Sequence, residues 1–382
     1  MSGQTASVAA APVLSDLKQA EALLQAGDFA SAQAAYAELL GRGVDGYALR
    51  VNLAQSLKRL GRWGEAVAEF EAAFRFRRGA WVDMSAPVRL GPLRTYQVEH
   101  LLEQLDYLRG IGAADWLGDD DRAGLARLAK FMKDCYGRAG QGSPPDLAPS
   151  VANLVMGCPS RPEIEAPATI INPEAKVQSI EAGADGDMIH IVDDVFAPAT
   201  LEALRTYLVR STFWFDARPE RGYIGAHLHE GLACPLVRDV ASAVVGLARP
   251  HIGPALISQV WAFKYALSAA GIDLHADQAD MNINVWLTDE RHNADPDSGG
   301  MTIFGARVPE SWNFGMYNAS PDIGRAHLKS IGAREHRVAY RGNRAIIFPS
   351  RLFHQTDPVR FRGDYDNRRI NLTIMADRQV RH

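Results

Sequence analysis

The C-terminal half of the chain alternates short apolar runs with turns, and this alternation limits the folds open to it. The runs begin after Ile257 and are Val260–Tyr265, Met281–Leu287, Met301–Phe304, Arg337–Tyr340, Ala345–Phe348 and Ile370–Met375. Many short strands of this kind build two sheets that close around a pocket. We therefore predict a jelly roll here, preceded by a strand at Met188–Val192 and by helices over Asp194–Ser211 and Pro235–Ala248.

The N-terminal part of the chain carries a repeat of 34 residues. Five positions recur at this period, and the pairs are Ala20 and Ala54, Gly27 and Gly61, Phe29 and Trp63, Ala32 and Ala66, and Tyr36 and Phe70. Small residues between helices, a glycine at the turn and packed aromatic residues are typical of tetratricopeptide repeats. The alternative is a helical hairpin duplicated by chance. Helical spacing over Arg94–Arg109 and Asp119–Tyr136 predicts two further helices that cap the stack.

Length and composition predict two domains in a protein of the α+β class. A chain of 382 residues exceeds the usual size of a single core. The proline- and glycine-rich stretch in its middle predicts a linker without regular helix or central strand. The expected divisions are a disordered N-terminus (1–12), an all-α helical repeat domain (13–137) with repeats at 13–46 and 47–80, the linker (138–176) and a double-stranded β-helix with flanking helices (177–382).

Composition argues against several kinds of partner. The chain has 41 Lys and Arg residues against 45 Asp and Glu residues, a net charge of -4, which gives no basis for binding nucleic acid. The sequence has no apolar run of about eighteen residues, so we expect no membrane span. Cys135, Cys158 and Cys234 form no CxxC pair and no readable disulfide framework. This cysteine usage fits a reducing, cytoplasmic location.

Two imidazoles and one carboxylate stand out in the C-terminal half. In a strand, residues i and i+2 project from one face, so His275 and Asp277 can reach the same ion. His354 follows the apolar run Ala345–Phe348, which brings a second imidazole to the same end of the barrel. Such a set holds one face of an iron ion and leaves the other face open to oxygen and a cosubstrate. The alternatives are a different divalent ion or a barrel that has lost catalysis.

The order of these motifs resembles that of the Fe(II)- and 2-oxoglutarate-dependent dioxygenases, especially the prolyl-hydroxylase-like branch, over residues 188–375. The matching segments are LHADQADMNINVWL, SGGMTIF, NRAIIFPSRLFHQTDPV and RRINLTIM. The resemblance implies Fe(II) held by His275, Asp277 and His354, chelated by 2-oxoglutarate, with O2 as the oxidant and ascorbate as a supplement in vitro. It also implies that Arg369 pairs with the distal carboxylate of 2-oxoglutarate, a task for which a guanidinium is well shaped.

Further contacts with the cosubstrate are expected from neighbouring strand positions. The resemblance implies that the hydroxyl of Tyr265 lies against the cosubstrate carboxylate, although a core tyrosine fits equally well. Thr373 lies on the same strand face as Arg369 and offers a hydroxyl. Arg368 points the other way in a regular strand, which is why we prefer Arg369.

Two asparagines share one face of the strand that follows Asp277. One of them can hydrogen-bond the metal-bound carboxylate of 2-oxoglutarate. We favour Asn284 over Asn282 for this role. Either amide would equally satisfy a buried backbone group.

An insert between Phe304 and Arg337 is longer than a minimal barrel needs. Its Trp312, Tyr317 and Asn318 suit a lid over the pocket, because long ordered insertions often carry binding function. A surface flap without substrate contact is the alternative.

A second candidate for substrate contact is the segment of residues 213–223, which is dense in aromatic and arginine side chains. Arg218, Arg221 and Tyr223 suit an anionic or peptide substrate. The same residues would equally serve to cover the edge of the barrel.

Three functions fit the sequence. The first, which we favour, is hydroxylation of a C–H bond in a peptide or protein recruited by the repeats, since stacked helix pairs form concave surfaces. The second is hydroxylation of a free small molecule, with the repeats forming a homodimer contact. The third is a non-catalytic adaptor with a structural barrel. Among oxidations, Asp277 favours hydroxylation, because resembling halogenases leave its position vacant for chloride.

Overall fold

A computed structural model of the protein describes residues 5–79, 85–183 and 186–379. Its N-terminal part is helical. The helices are α1 (Thr5–Gln25), α2 (Phe29–Gly41), α3 (Tyr47–Arg59), α4 (Trp63–Arg77), α5 (Thr95–Gly110), α6 (Asp119–Tyr136) and α7 (Pro149–Met156). None of the helices in the described residues combines the length and apolar character that crossing a membrane requires.

The first four helices form two pairs with equivalent turns. Gly27 and Gly61 lie in these turns at φ of 80° and 77°, a conformation that glycine adopts without steric cost. Helix α3 begins where we expected the second repeat to begin, and residue 80, its expected end, lies outside the described residues. That these pairs are tetratricopeptide repeats stays a prediction.

Two expectations for the N-terminal part are wrong. Helix α1 begins at Thr5, within the segment expected to be disordered, because an alanine-rich stretch has a high helix propensity. Helix α7 lies within the expected linker. Pro149 stands in its first turn, where a proline costs no helical hydrogen bond, and the buried side chains of Val151 and Leu154 pack against α5 and α6.

The C-terminal part contains two large antiparallel sheets and a two-stranded sheet of Ser268–Ala269 and Val359–Arg360, and each predicted strand overlaps a strand of the two large sheets. Its helices are α8 (Pro198–Arg210), α9 (Pro235–Ile252), α10 (Phe314–Ala319) and α11 (Pro321–Ser330). After the short strands β1 (Leu93–Arg94) and β2 (Gln141–Gly142), the strands are β3 (Lys176–Glu181), β4 (Met188–Asp193), β5 (Asp216–Arg218), β6 (Tyr223–His227), β7 (Ala255–Tyr265), β8 (Ser268–Ala269), β9 (Ile272–His275), β10 (Met281–Trp286), β11 (Met301–Arg307), β12 (Glu335–Val338), β13 (Arg344–Pro349), β14 (Leu352–Thr356), β15 (Val359–Arg360) and β16 (Ile370–Arg378).

The sheet order agrees with the predicted jelly roll. The larger sheet has the order β3-β4-β13-β10-β16-β7-β6-β5, and the smaller sheet has the order β12-β11-β14-β9. A buried cluster draws side chains from both sheets, among them Trp286 and Phe348 from the larger and Ile303 and Leu352 from the smaller. Strand β7 turns Trp261, Phe263 and Tyr265 to the inner face, where they line the cavity described below.

The helical part packs against the outer face of the larger sheet. Val67 and Phe70 of α4 belong to the same buried cluster as α8 and α9. The indole nitrogen of Trp63 donates to the carbonyl oxygen of Arg238 at 3.0 Å. The side-chain amide of Gln104 donates to the carbonyl oxygens of Val209 and Ser211 at 2.9 and 2.8 Å. The two parts therefore share one core.

Candidate metal centre

Strands β9 and β14 bring the predicted ligands together. His275 ends β9 and pairs in register with His354 on β14, and Asp277 follows two residues after His275. Their candidate ligand atoms all lie within 4.8 Å of one another. The distance from Nε2 of His354 to Oδ2 of Asp277 is 3.4 Å. One ion can therefore contact all three side chains after small adjustments.

Hydrogen bonds fix the tautomer of both histidines. Nδ1 of His275 lies 2.7 Å from the carbonyl oxygen of Asp273, and Nδ1 of His354 lies 2.9 Å from that of Leu352. A carbonyl oxygen only accepts, so each Nδ1 carries the proton and each Nε2 keeps a lone pair for a metal. The side-chain amide of Asn282 donates to Oδ2 of Asp277 at 2.9 Å and orients the carboxylate.

The surroundings favour the protonation states that bind metal. Burial, together with the nearby His354, lowers the pKa of His275 to about 4. Burial alone would raise the pKa of Asp277, but its neighbours His354, His275 and Asn282 outweigh burial, and this pKa lies below its ordinary value. At neutral pH the site therefore offers a neutral imidazole and an ionised carboxylate, as metal binding requires.

A cavity of about 170 Å³ adjoins these ligands. This volume is below the roughly 300–1,000 Å³ typical of ligand sites, so its enclosed part suits small groups. It is lined by Arg221, Tyr223, Trp261, Phe263, Tyr265, Ile272, His275, Asp277, Asn282, Asn284, Met301, His354, Thr356, Arg369, Asn371 and Thr373.

Arg369 is a buried cation in the wall of this cavity, with 1% of its surface exposed. Its Nε donates to the carbonyl oxygen of Gly299 at 2.9 Å, and Nη1 donates to Oδ1 of Asn371 at 3.2 Å. The guanidinium lies over the ring of Tyr265, with its carbon 4.7 Å from the centroid. No acidic side chain among the described residues pairs with it. Because a buried cation without a counter-ion is unfavourable, this part of the cavity suits an anion.

The oxygen atoms of two buried amides also lack hydrogen-bond partners within the described protein. Asn284 donates to Oγ1 of Thr373 at 3.3 Å, as Asn282 does to Asp277. Oδ1 of each asparagine has no hydrogen-bond partner within the described protein. Buried polar atoms are normally satisfied, so these two indicate a site that a ligand completes.

Four of the predicted substrate residues do not line the cavity. Arg218 is exposed and pairs with Asp216 at 2.9 Å, which keeps it at the surface. The other three, Trp312, Tyr317 and Asn318, belong to the insert, which does not form the predicted lid.

The insert instead covers the back of β9 and β14. Leu274, Ala276 and Phe353 alternate with the ligands and therefore project away from the cavity. Tyr317 packs against them in one buried cluster, with Trp312 at its edge. Asn318 donates to the carbonyl oxygen of Ala276 at 3.0 Å, between the two ligands of this segment. The apolar back of these strands needs a cover, and the insert supplies it.

Six cavity residues escaped the sequence interpretation, and these are Trp261, Phe263, Ile272, Met301, Thr356 and Asn371. For some of these residues the sequence contains a pattern that could have identified them. Trp261 and Phe263 alternate with Tyr265 along one run, and Asn371 stands between Arg369 and Thr373 at the same period. Thr356 likewise stands two residues after His354 on one strand. Ile272 and Met301 have no such pattern, because their position depends on how the two sheets face each other.

No protein-family model and no curated protein matches the sequence. Among solved structures, HygX from Streptomyces hygroscopicus, crystallised with nickel and 2-oxoglutarate, is 14% identical with a TM-score of 0.35, over 50% of this chain and 83% of its own. SnoK, a non-heme α-ketoglutarate-dependent carbocyclase from nogalamycin biosynthesis, is 13% identical with a TM-score of 0.39, over 50% and 79%. AviO1 from Streptomyces viridochromogenes Tue57 is 18% identical with a TM-score of 0.33, over 51% and 92%. Similarity at this level does not define a function, so the function proposed below rests on the residues of the site.

Proposed function

We propose that the protein is an Fe(II)- and 2-oxoglutarate-dependent dioxygenase. The observation that carries this proposal is that one cavity contains both the set His275, Asp277 and His354 and the buried guanidinium of Arg369. No acidic side chain among the described residues pairs with this guanidinium. A cosubstrate that chelates a metal through one end and carries a carboxylate at the other matches both features. The unpaired amide oxygens of Asn282 and Asn284 lie in the same wall.

Each residue then has a defined task. His275, Asp277 and His354 hold the ion, and Asn282 keeps the carboxylate of Asp277 oriented. Arg369 binds the distal carboxylate of 2-oxoglutarate. When bound, the ion and 2-oxoglutarate supply the oxidation: one atom of O2 enters a substrate C–H bond, the other enters succinate, and CO2 is released. Hydroxylation is the outcome we propose, because Asp277 occupies the third protein position.

Recruitment of a peptide or protein by the repeats stays a proposal. The parts of α3 and α4 that pack on β7 and α9 are covered by the barrel and are not free for it. The small volume of the cavity favours a small molecule or a single side chain as the group oxidised. Hydroxylation of a free small molecule is therefore the second candidate function, and the small volume of the cavity supports it.

The test is succinate formation from 2-oxoglutarate with Fe(II) and O2. We expect slow succinate release by the wild-type protein without a primary substrate. The rate of succinate release should fall by more than about 100-fold in His275→Ala, Asp277→Ala and His354→Ala. Arg218→Ala is the matched control, since Arg218 does not line the cavity, and it should keep the wild-type rate. Succinate formation that persists in all three ligand variants, or is absent from the wild type, contradicts the proposal.

A further inference from the structure

One wall of the cavity consists of Tyr223 on β6 and of Phe263 and Trp261 on β7, here called the aromatic wall. The ring centroids of Tyr223 and Phe263 are 4.5 Å apart, and those of Phe263 and Trp261 are 6.1 Å apart. Tyr223 is buried, whereas Phe263 and Trp261 are half-buried and keep ring surface free. The indole nitrogen of Trp261 has no hydrogen-bond partner in the described residues. The aromatic wall therefore offers flat apolar surface and one spare donor.

Arg221 reaches this cavity from the turn between β5 and β6. The turn is fixed in place, because the amide of Ala266, after β7, donates to the carbonyl oxygen of Gly222 at 2.8 Å. Gly222 has a φ of 73°, and a Cβ there would lie 2.7 Å from Cβ of Ala269. Only glycine fits this close approach in this conformation. Arg221 is thus presented to the cavity by a packed turn.

The charges of the cavity leave Arg221 without a counter-ion. Arg221 forms no ion pair with another side chain in the described part of the chain, and the ionised side chains of the lining are Arg221, Arg369 and Asp277. With a divalent ion these groups carry three positive charges, and the two carboxylates of 2-oxoglutarate neutralise two. One positive charge remains for the substrate, and Arg369 is already engaged by the cosubstrate.

We propose that the substrate is a small carboxylic acid with a flat apolar part, such as an aryl group. Its carboxylate pairs with Arg221, and its apolar part lies on the aromatic wall. A guanidinium binds a carboxylate through two parallel hydrogen bonds, and aromatic rings stack offset or edge to face. This inference rests on the proposed function and names the substrate class of the same site.

The experiment uses the full chain, loaded under anaerobic conditions with Fe(II) and 2-oxoglutarate. The probes are 3-phenylpropanoate and its amide, 3-phenylpropanamide, with binding followed by calorimetry. The visible charge-transfer band of the Fe(II) complex with 2-oxoglutarate reports that the cosubstrate stays bound. We expect the acid to bind at least about tenfold more tightly than the amide.

The variants separate the two parts of the proposed site. Arg221→Gln should weaken binding of the acid about tenfold and leave the amide unchanged. The matched control is Arg218→Gln, at the end of β5 beside the turn that contains Arg221 and paired with Asp216, and it should bind both probes as the wild type does. Phe263→Leu should weaken both probes alike. If Arg221→Gln does not fold, Arg221→Lys serves instead, and it should keep a preference for the acid that is smaller than in the wild type.

The inference is overturned by equal affinity for acid and amide, by unchanged binding in Arg221→Gln, or by no binding of the acid at about 10 mM. Loss of the charge-transfer band on adding the acid also overturns it, because the probe would then occupy the cosubstrate site. Failure of the proposed function is distinct: the wild-type protein would give no band with Fe(II) and 2-oxoglutarate before any probe is added.

Discussion

Arg368 and Arg369 are neighbours in sequence, and both are buried, with 6% and 1% of their surfaces exposed. Arg368 faces the helical part, where its guanidinium contacts the carboxylate of Glu103 on α5 and lies over the ring of Tyr365. Arg369 faces the cavity and has only neutral partners among the described residues. The counter-ion distinguishes the two roles, whereas residue type and burial do not. One arginine joins two parts of the protein, and the other is suited to a ligand.

A second comparison is between Lys264, on the outer face of β7, and Arg369, on the inner side of the same sheet. Lys264, on the outer face, is fully buried and lies 2.5 Å from the hydroxyl of Tyr365. Burial lowers the pKa of Lys264 well below its ordinary value, which favours the neutral amine. An arginine cannot lose its proton in this way. Arg369, on the inner side, therefore needs an anion, and 2-oxoglutarate is the anion we propose.

The largest effect that distinguishes the two arginines is expected in Arg369→Ala. Losing the partner of a buried carboxylate should weaken 2-oxoglutarate binding by about 2 to 5 kcal/mol. The free energy of unfolding without 2-oxoglutarate should fall by less than this, because removal of a buried charge without a counter-ion offsets the loss of the hydrogen bonds to Gly299 and Asn371. Titration of the Fe(II)-loaded protein with 2-oxoglutarate measures the affinity, and urea unfolding measures the free energy of unfolding. Wild-type affinity for 2-oxoglutarate in this variant would contradict the assignment.

The converse variant is Arg368→Ala. The side chain of Glu103 is 44% exposed, so solvent screens this pair, and we expect a loss of only about 1–2 kcal/mol in the free energy of unfolding, between the value for an exposed ion pair and that for a buried charged hydrogen bond. Binding of 2-oxoglutarate should stay as in the wild type. A loss of cosubstrate affinity equal to that of Arg369→Ala would mean that the two arginines have been assigned the wrong way round.

A smaller effect is expected behind the metal ligands, in Asn318→Ala. This change removes the hydrogen bond to the carbonyl oxygen of Ala276 and should weaken Fe(II) binding about tenfold, because residues that orient ligands tune metal affinity. Met316→Ala, at an exposed position of the same helix, is the control. The measurement is an Fe(II) titration of both variants at a temperature at which thermal unfolding curves show both to be folded. Equal metal affinity in both variants would mean that the insert covers these strands without affecting metal binding.

The smallest effect is that of pH on metal binding. The pKa of His275 is about 4 in the folded protein, below its ordinary value, so protons do not compete for this ligand in mildly acidic solution. Fe(II) affinity should change less than about twofold on account of His275 between about pH 7.5 and pH 5.5. A decline of about tenfold over that range would show a histidine that titrates normally. The unfolded chain gains protons first, so this same histidine lowers the free energy of unfolding as pH falls from about 6.5 towards 4.

The shared face of His275 and Asp277 and the strands could be predicted from sequence because they depend on local period, whereas the contact of these residues with His354 depends on the register of β9 and β14. Residues i and i+2 share a strand face whatever the tertiary structure, so His275 and Asp277 could be paired, and Arg369 distinguished from Arg368. The position of the insert could not be predicted in this way. Tyr317 and Asn318 carry the same side chains whether they form a lid or cover the back of β9.

The docking of the helical part was also beyond the sequence. It depends on contacts between residues more than one hundred positions apart, such as Gln104 with Val209 and Trp63 with Arg238. The helix α7 was missed for a local reason. A high density of proline argues against a helix, yet Pro149 stands in the first turn of α7, where proline is compatible with a helix.

The most direct test of the central claim is an anaerobic titration of the protein with Fe(II) and 2-oxoglutarate, followed by visible absorbance. We predict a charge-transfer band in the wild type that is absent from Asp277→Ala and needs a much higher 2-oxoglutarate concentration in Arg369→Ala. Absence of the band from wild-type protein at saturating Fe(II) and 2-oxoglutarate would contradict the account.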